Sequence, residues 1–129
     1  MSAFGKWFGR SEKTSQNDTV SWLELTNVSQ LDGIVAQSGQ KPQLIFKHST
    51  RCGISRMVKN QFEKDYPLSS LEVDLYYLDL LNYREISNAI ASRFKVYHES
   101  PQLLVIKNGN VLKHASHGSI LDLDLKELL

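Results

Sequence analysis

The stretch IFKHSTRCGISRM, Ile45 to Met57, carries the single cysteine of a 129-residue chain. An apolar run leads into a basic, hydroxyl-rich turn, and helix-favouring residues follow. QLIFK (Gln43 to Lys47), after Pro42, has the short apolar character of a strand buried inside a sheet. GISRMVKNQFEKDY reads as a helix, with Ile54, Met57, Val58, Gln61 and Phe62 at helical spacing and Pro67 marking its end. Cys52 therefore falls at a strand-to-helix junction. First-turn N–H groups lack intrahelical partners there and the helix dipole is positive, and both favour a thiolate. Lys47, Arg51, Arg56 and Lys59 are the basic residues expected to add positive potential near the sulfur.

Ser55 stands where a Cys-x-x-Cys redox pair would have its second sulfur. With serine there, anything captured by Cys52 as a mixed disulfide must be released by an external thiol. Its hydroxyl is also a hydrogen-bond candidate for the Cys52 thiolate. A more acidic thiol leaves more readily when the next thiol attacks, which suits a turnover catalyst of thiol–disulfide exchange. The bland alternatives are a buried, inert cysteine and an ordinary first-turn serine.

Outward from this junction the pattern stays regular. SWLEL is a short strand, and NVSQLDGIVAQSG a helix with Asn27 as its cap, Val28, Leu31, Ile34 and Val35 on one face, and Gly39 at its end. SLEVDLYYLDL alternates Leu71, Val73, Leu75 and Tyr77 against a second face, as a strand does. NYREISNAIASRF is a helix with Ile86, Ala89, Ile90 and Phe94 inward. SPQLLVIKNGNVLKHA is a β-hairpin, because Asn108-Gly109 supplies the positive φ angles of a tight turn. SILDLDLKELL reads as a closing helix from Ser119, with Asp122 as capping partner and Leu121, Leu125, Leu128 and Leu129 on one face, while the alternation of Leu121, Leu123 and Leu125 argues for a strand. The order β-α-β-α-β-α-β-β-α predicts an α/β fold, a central mixed β-sheet flanked by helices on both faces.

A second constellation is HESPQ, His98 to Gln102. A proline opening a strand is an edge-strand feature. A cis Ser100–Pro101 bond would instead turn the Ser100 backbone toward the cysteine, ready to pair with a substrate chain. Four histidines need roles: His48 at the strand end, His98 before the proline, and His114 and His117 at the end of the hairpin. A histidine close to Cys52 could act as base or ion-pair partner, whereas each taken alone reads as structural or surface.

Composition bounds the rest. The chain is 41% hydrophobic and 22% charged with a formal net charge of +1, so no nucleic-acid partner is expected. One cysteine excludes an intramolecular disulfide and makes a Cys/His zinc cluster within the chain unexpected. No apolar run reaches the roughly 18 residues of a membrane span, and no signal peptide is evident. A cytoplasmic monomer is the expectation. GRSEKTSQNDTV is polar and aperiodic, so residues 1–20 read as a flexible arm, with Phe4, Trp7 and Phe8 able to dock on the domain at 21–129.

Strand, turn, cysteine and helix, followed by a proline before the hairpin, resemble the thioredoxin fold. CGIS resembles the CGFS signature of monothiol glutaredoxins. The wider set IFKHSTRCGIS, YLDLLNYREISNAIASRF, HESPQLLVIKNG and HASHGSI resembles the YtxJ-type monothiol bacilliredoxins, from about Trp22 onward. That resemblance implies a thioredoxin-like fold and removal of bacillithiol, a cysteine–glucosamine–malate thiol, from mixed disulfides on client proteins. It implies Cys52 as the active cysteine, Ser100 and Pro101 as the cis-proline loop, and bacillithiol as co-substrate with no tightly bound cofactor. Arg51 is the first choice for contact with the malate carboxylates. Gly53 departs from the proline often found after that cysteine. Two other functions remain open on the residues alone. One is an iron–sulfur carrier dimer with one Cys52 per chain, and the other a thioredoxin-like interaction module with an incidental cysteine.

Overall fold

In the computed structural model, which describes residues 20–129, the apolar run Gln43–His48 is the middle strand of a five-stranded sheet. The arm expected over residues 1–20, with Phe4, Trp7 and Phe8, lies outside the described residues except for Val20. The elements run β1 (Trp22–Glu24), α1 (Gln30–Gln37), β2 (Gln43–His48), α2 (Gly53–Asp65) and β3 (Asp74–Asp79), then α3 (Arg84–Phe94), β4 (Gln102–Lys107) and β5 (Asn110–Ser116). A 3-10 turn (His117–Asp122) and a short α4 (Leu125–Leu128) close the chain. Spatial order is β1-β3-β2-β4-β5, with β1, β3 and β2 parallel and β4 and β5 antiparallel.

Every residue of β2 is buried, because both faces of this central strand are covered. Alternation sends Ile45, with Leu104 and Ile106 of β4, into a core shared with Leu31 and Ile34 of α1 and Ile86 and Ile90 of α3. Leu44 and Phe46, with Leu103 and Val105, enter the opposite core beside Val58 and Phe62 of α2, Ile120 and Leu125. Each of the larger side chains contributes about 1.5–3 kcal/mol on full burial. The β4–β5 hairpin turns at Asn108 (φ 53°) and Gly109 (φ 80°), the left-handed pair expected of Asn-Gly. That turn is tied to the end of α1: Asn108 N–H donates to Ser38 O and Gly109 N–H to Ser38 Oγ, both at 2.8 Å.

Four local expectations are corrected. First, α1 begins at Gln30, and Asn27 is not its cap; Asn27 Oδ1 accepts from the Ser29 N–H and Ser29 Oγ, shaping the turn ahead of the helix. Second, the inward stripe of α2 is Ser55, Val58 and Phe62, while Ile54 and Met57 are 59% and 62% exposed and Gln61 faces solvent. Burying Ser55 rotates the helix away from the face its apolar residues suggest. Third, Leu71 is 90% exposed, because a turn closed by Glu72 N–H to Ser69 O at 3.0 Å precedes β3. Fourth, no α-helix starts at Ser119. Ile120 and Leu125 both anchor in the α2-side core, and the chain breaks between them to restart at Asp124, whose Oδ1 accepts the Glu127 N–H at 3.1 Å. Asp with Glu three residues on is a better start signal than Ser119 with Asp122.

Candidate active site

The parallel β2 and antiparallel β4 bring two segments to one end of the sheet. Lys47 pairs with Gln102, so the turn that leaves β2 at His48 lies next to the Ser100–Pro101 segment that enters β4. The Ser100–Pro101 bond is cis. The Pro101 carbonyl accepts the His117 N–H at 2.9 Å, which holds this segment against the end of β5.

Cys52 is the N-cap of α2, half-buried, with extended backbone (φ −102°, ψ 122°) and no hydrogen bond from its side chain to the helix end. The turn before it is closed by the Cys52 N–H to Ser49 O at 3.2 Å. The first helical bond follows, from Arg56 N–H to Cys52 O at 3.1 Å. No acidic residue stands in the first turn, so no carboxylate competes with the sulfur for the positive helix end.

Ser55 is fully buried, and its hydroxyl is committed away from the sulfur. Oγ lies 2.8 Å from His48 Nδ1 and accepts the Ser49 N–H at 3.1 Å. His48 points to the α2 side, its ring 5.8 Å from that of Tyr77. Burial, and then the nearby Lys59 charge, push its imidazole below the usual value and favour the neutral ring. The structure therefore makes His48 the partner of Ser55.

The four basic residues expected near the sulfur divide. Arg51 is exposed beside Cys52 and makes no ion pair among the described residues. Arg56 Nη1 donates to Thr50 O at 3.2 Å, bracing the turn. Lys59 is engaged by Glu63 at 2.8 Å and lies over the rings of Trp22 and Tyr77. Lys47 points to the opposite, α1/α3 side of the sheet, fully buried, with Nζ 3.3 Å from His98 Nδ1 and 3.4 Å from Ser87 O. Its expected role as a charge near the sulfur is thus replaced by a contact with His98. A lysine inside an apolar strand was the sequence signal for an unusual environment. His114 lies on β5 opposite Leu104, away from the cysteine, and His117 reaches the site through its backbone N–H. Sequence reasoning missed the exposed pair Ile54 and Met57, which flank Cys52 on the first turns of α2.

Among solved structures, the chain is similar to a candidate oxidoreductase with a thioredoxin fold, 28% identical with a TM-score of 0.72, covering 90% of this chain and 98% of that one. Thioredoxin from Malassezia sympodialis matches at 22% identity and TM-score 0.64, over 83% of this chain and 90% of that one. Thioredoxin O2 from Arabidopsis thaliana matches at 20% and 0.59, over 84% and 90%. The fold is thioredoxin-like. The family model for the monothiol bacilliredoxin BrxC matches residues 23–125, spanning both the Cys52 turn and the cis-proline segment. With its cysteine at the head of α2 and serine in the resolving position, the chain belongs to the monothiol bacilliredoxin family and is a thiol–disulfide oxidoreductase.

Proposed function

We propose that the protein removes bacillithiol from mixed disulfides on client proteins, with Cys52 as the only nucleophile. The Cys52 thiolate attacks the bacillithiol sulfur of a client–S–S–bacillithiol adduct. The S–S bond breaks, and the client sulfur leaves as a thiolate that takes a proton from solvent. A second bacillithiol, as thiolate, then attacks the bacillithiol sulfur held on Cys52. Bacillithiol disulfide forms and the Cys52 thiolate is restored. One disulfide is reduced and one is made, so no other redox partner is needed within the cycle.

The observation that carries this reading is Ser55. It fills the resolving position, is buried and is bonded to His48 and Ser49, in a chain with one cysteine. Membership in the bacilliredoxin family supports bacillithiol as the released thiol. Arg51, exposed beside Cys52, suits the malate carboxylates of that thiol. Ser100 and Pro101 would receive the client chain. No described helix is long and apolar enough to cross a membrane; action as a monomer in the cytoplasm is part of the proposal.

The test is release of bacillithiol from a modified protein. Wild type should release it catalytically, with a Cys52 adduct visible as added mass that disappears when free bacillithiol is supplied. Cys52→Ser should be inactive. Release by that variant at the wild-type rate ends the proposal.

A further inference from the structure

Lys47 is a fully buried lysine whose Nζ neighbours are neutral acceptors, the Ser87 carbonyl and His98 Nδ1. Removing an ammonium from water is unfavourable unless it is paired, and no carboxylate is bonded to this one among the described residues. An ammonium has only protons to offer, so His98 Nδ1 must accept and the ring proton sits on Nε2. Ser87 Oγ lies 3.1 Å from the same nitrogen.

The position of this contact matters more than its strength. Lys47 is the penultimate residue of β2, the strand that leads into the Cys52 turn, and it pairs across the sheet with Gln102. His98 belongs to the segment that crosses from α3 to β4 and ends in the cis Ser100–Pro101 bond. Gln102 Nε2 donates back to Tyr97 O at 2.9 Å, fastening the residue before His98 from the same side. The segment itself has few anchors: Tyr97 is 94% exposed, and His98 and Glu99 are exposed as residues. Apart from the Pro101 O to His117 N–H bond at its far end, its hydrogen-bonded anchors run through Lys47, Ser87 and Gln102.

We infer that Lys47 is a positioning residue: by holding His98 Nδ1 from inside the sheet, it fixes the His98–Pro101 segment relative to Cys52, so that a disulfide-bearing peptide chain can lie between them. The inference rests on the thiol–disulfide exchange activity and not on the identity of the released small thiol.

The test uses the full chain and two probes. Ellman's reagent is a small aromatic disulfide that needs only the Cys52 sulfur. The other is a short peptide whose cysteine is disulfide-linked to thionitrobenzoate. Attack on the peptide sulfur forms Cys52–S–S–peptide and expels coloured thionitrobenzoate, so rates are read against peptide concentration. Lys47→Met and His98→Ala should react with Ellman's reagent within about twofold of wild type. Their half-saturation concentration for the peptide should rise at least fivefold. His98→Asn, whose amide oxygen can stand in for Nδ1, should recover most of that loss. Because His98 is exposed, its variants keep the test informative even if Lys47→Met folds poorly. An unchanged peptide dependence overturns the inference, as does equal slowing with both probes, or an Asn variant no better than Ala. Neither probe contains bacillithiol, so failure here is separate from failure of the proposed client chemistry.

Discussion

Ser55 Oγ sits 2.8 Å from His48 Nδ1 while accepting the Ser49 N–H at 3.1 Å, so one buried hydroxyl joins the last residue of β2, the turn and the first turn of α2. The Ser49 N–H takes one lone pair of the oxygen. The hydroxyl keeps a second lone pair as well as its proton for the contact with His48 Nδ1, so it can serve either neutral tautomer of that ring. The position that would hold a resolving sulfur in a dithiol enzyme thus serves to lock the cysteine turn.

Ser55→Ala removes both bonds and leaves His48 Nδ1 and the Ser49 N–H without a partner from this side chain. A stability loss of about 1–3 kcal/mol is expected, the usual penalty for stranding buried polar groups. Urea unfolding monitored by circular dichroism measures it. A loss below about 0.5 kcal/mol would mean that the network does not hold the turn.

Burial lowers the Lys47 pKa from 10.5 to about 8. The sign follows from proton counting: between those values the unfolded chain keeps a proton on this lysine that the folded chain releases. Wild-type stability should therefore rise with pH across that window relative to Lys47→Met, by up to about 1.4 kcal/mol per pH unit. At neutral pH the methionine variant should be at least as stable as wild type, because it removes a buried charge without a counter-ion. Denaturant midpoints at pH 7, 8 and 9.5 decide the matter. A flat difference between the two proteins would show that Lys47 stays protonated throughout.

Gly53 is the first residue of α2, and an added Cβ there meets nothing within 4 Å. Proline is favoured at a helix start, where its missing N–H is no loss. The preceding Cys52, at φ −102° and ψ 122°, already has the extended conformation that a residue before proline requires. Gly53→Pro should stabilise the protein by about 0.4–1 kcal/mol through the unfolded state. A lower melting temperature, or a blocked Cys52 alkylation, would contradict this reading of the turn.

The parts legible in sequence share a cause. Gln43–Lys47 is apolar because both faces of β2 are covered, and Asn108-Gly109 reads as a turn because few other pairs accept two left-handed conformations. Cys52 at a helix start followed from where the apolar run stops. What stayed hidden depended on partners distant in the chain. A strand buried on both faces carries no polar alternation, so nothing local says that Lys47 turns toward Ser87 and His98. Ser55 looks like a surface residue until His48 is brought against it, and its burial then exposes Ile54 and Met57. The C-terminal segment is ambiguous in sequence because leucines recur there with both strand and helix spacing, and only the core anchors Ile120 and Leu125 fix its course.

Because the Cys52 side chain makes no bond to the end of α2, the helix begins without its help. Backbone and Ser55 contacts carry that task, and none of them runs through the sulfur. The thiol is a passenger on its own scaffold. An enzyme whose cycle alternates between a bare sulfur and a covalently loaded one can then change cargo at every step while its framework keeps the same set of bonds.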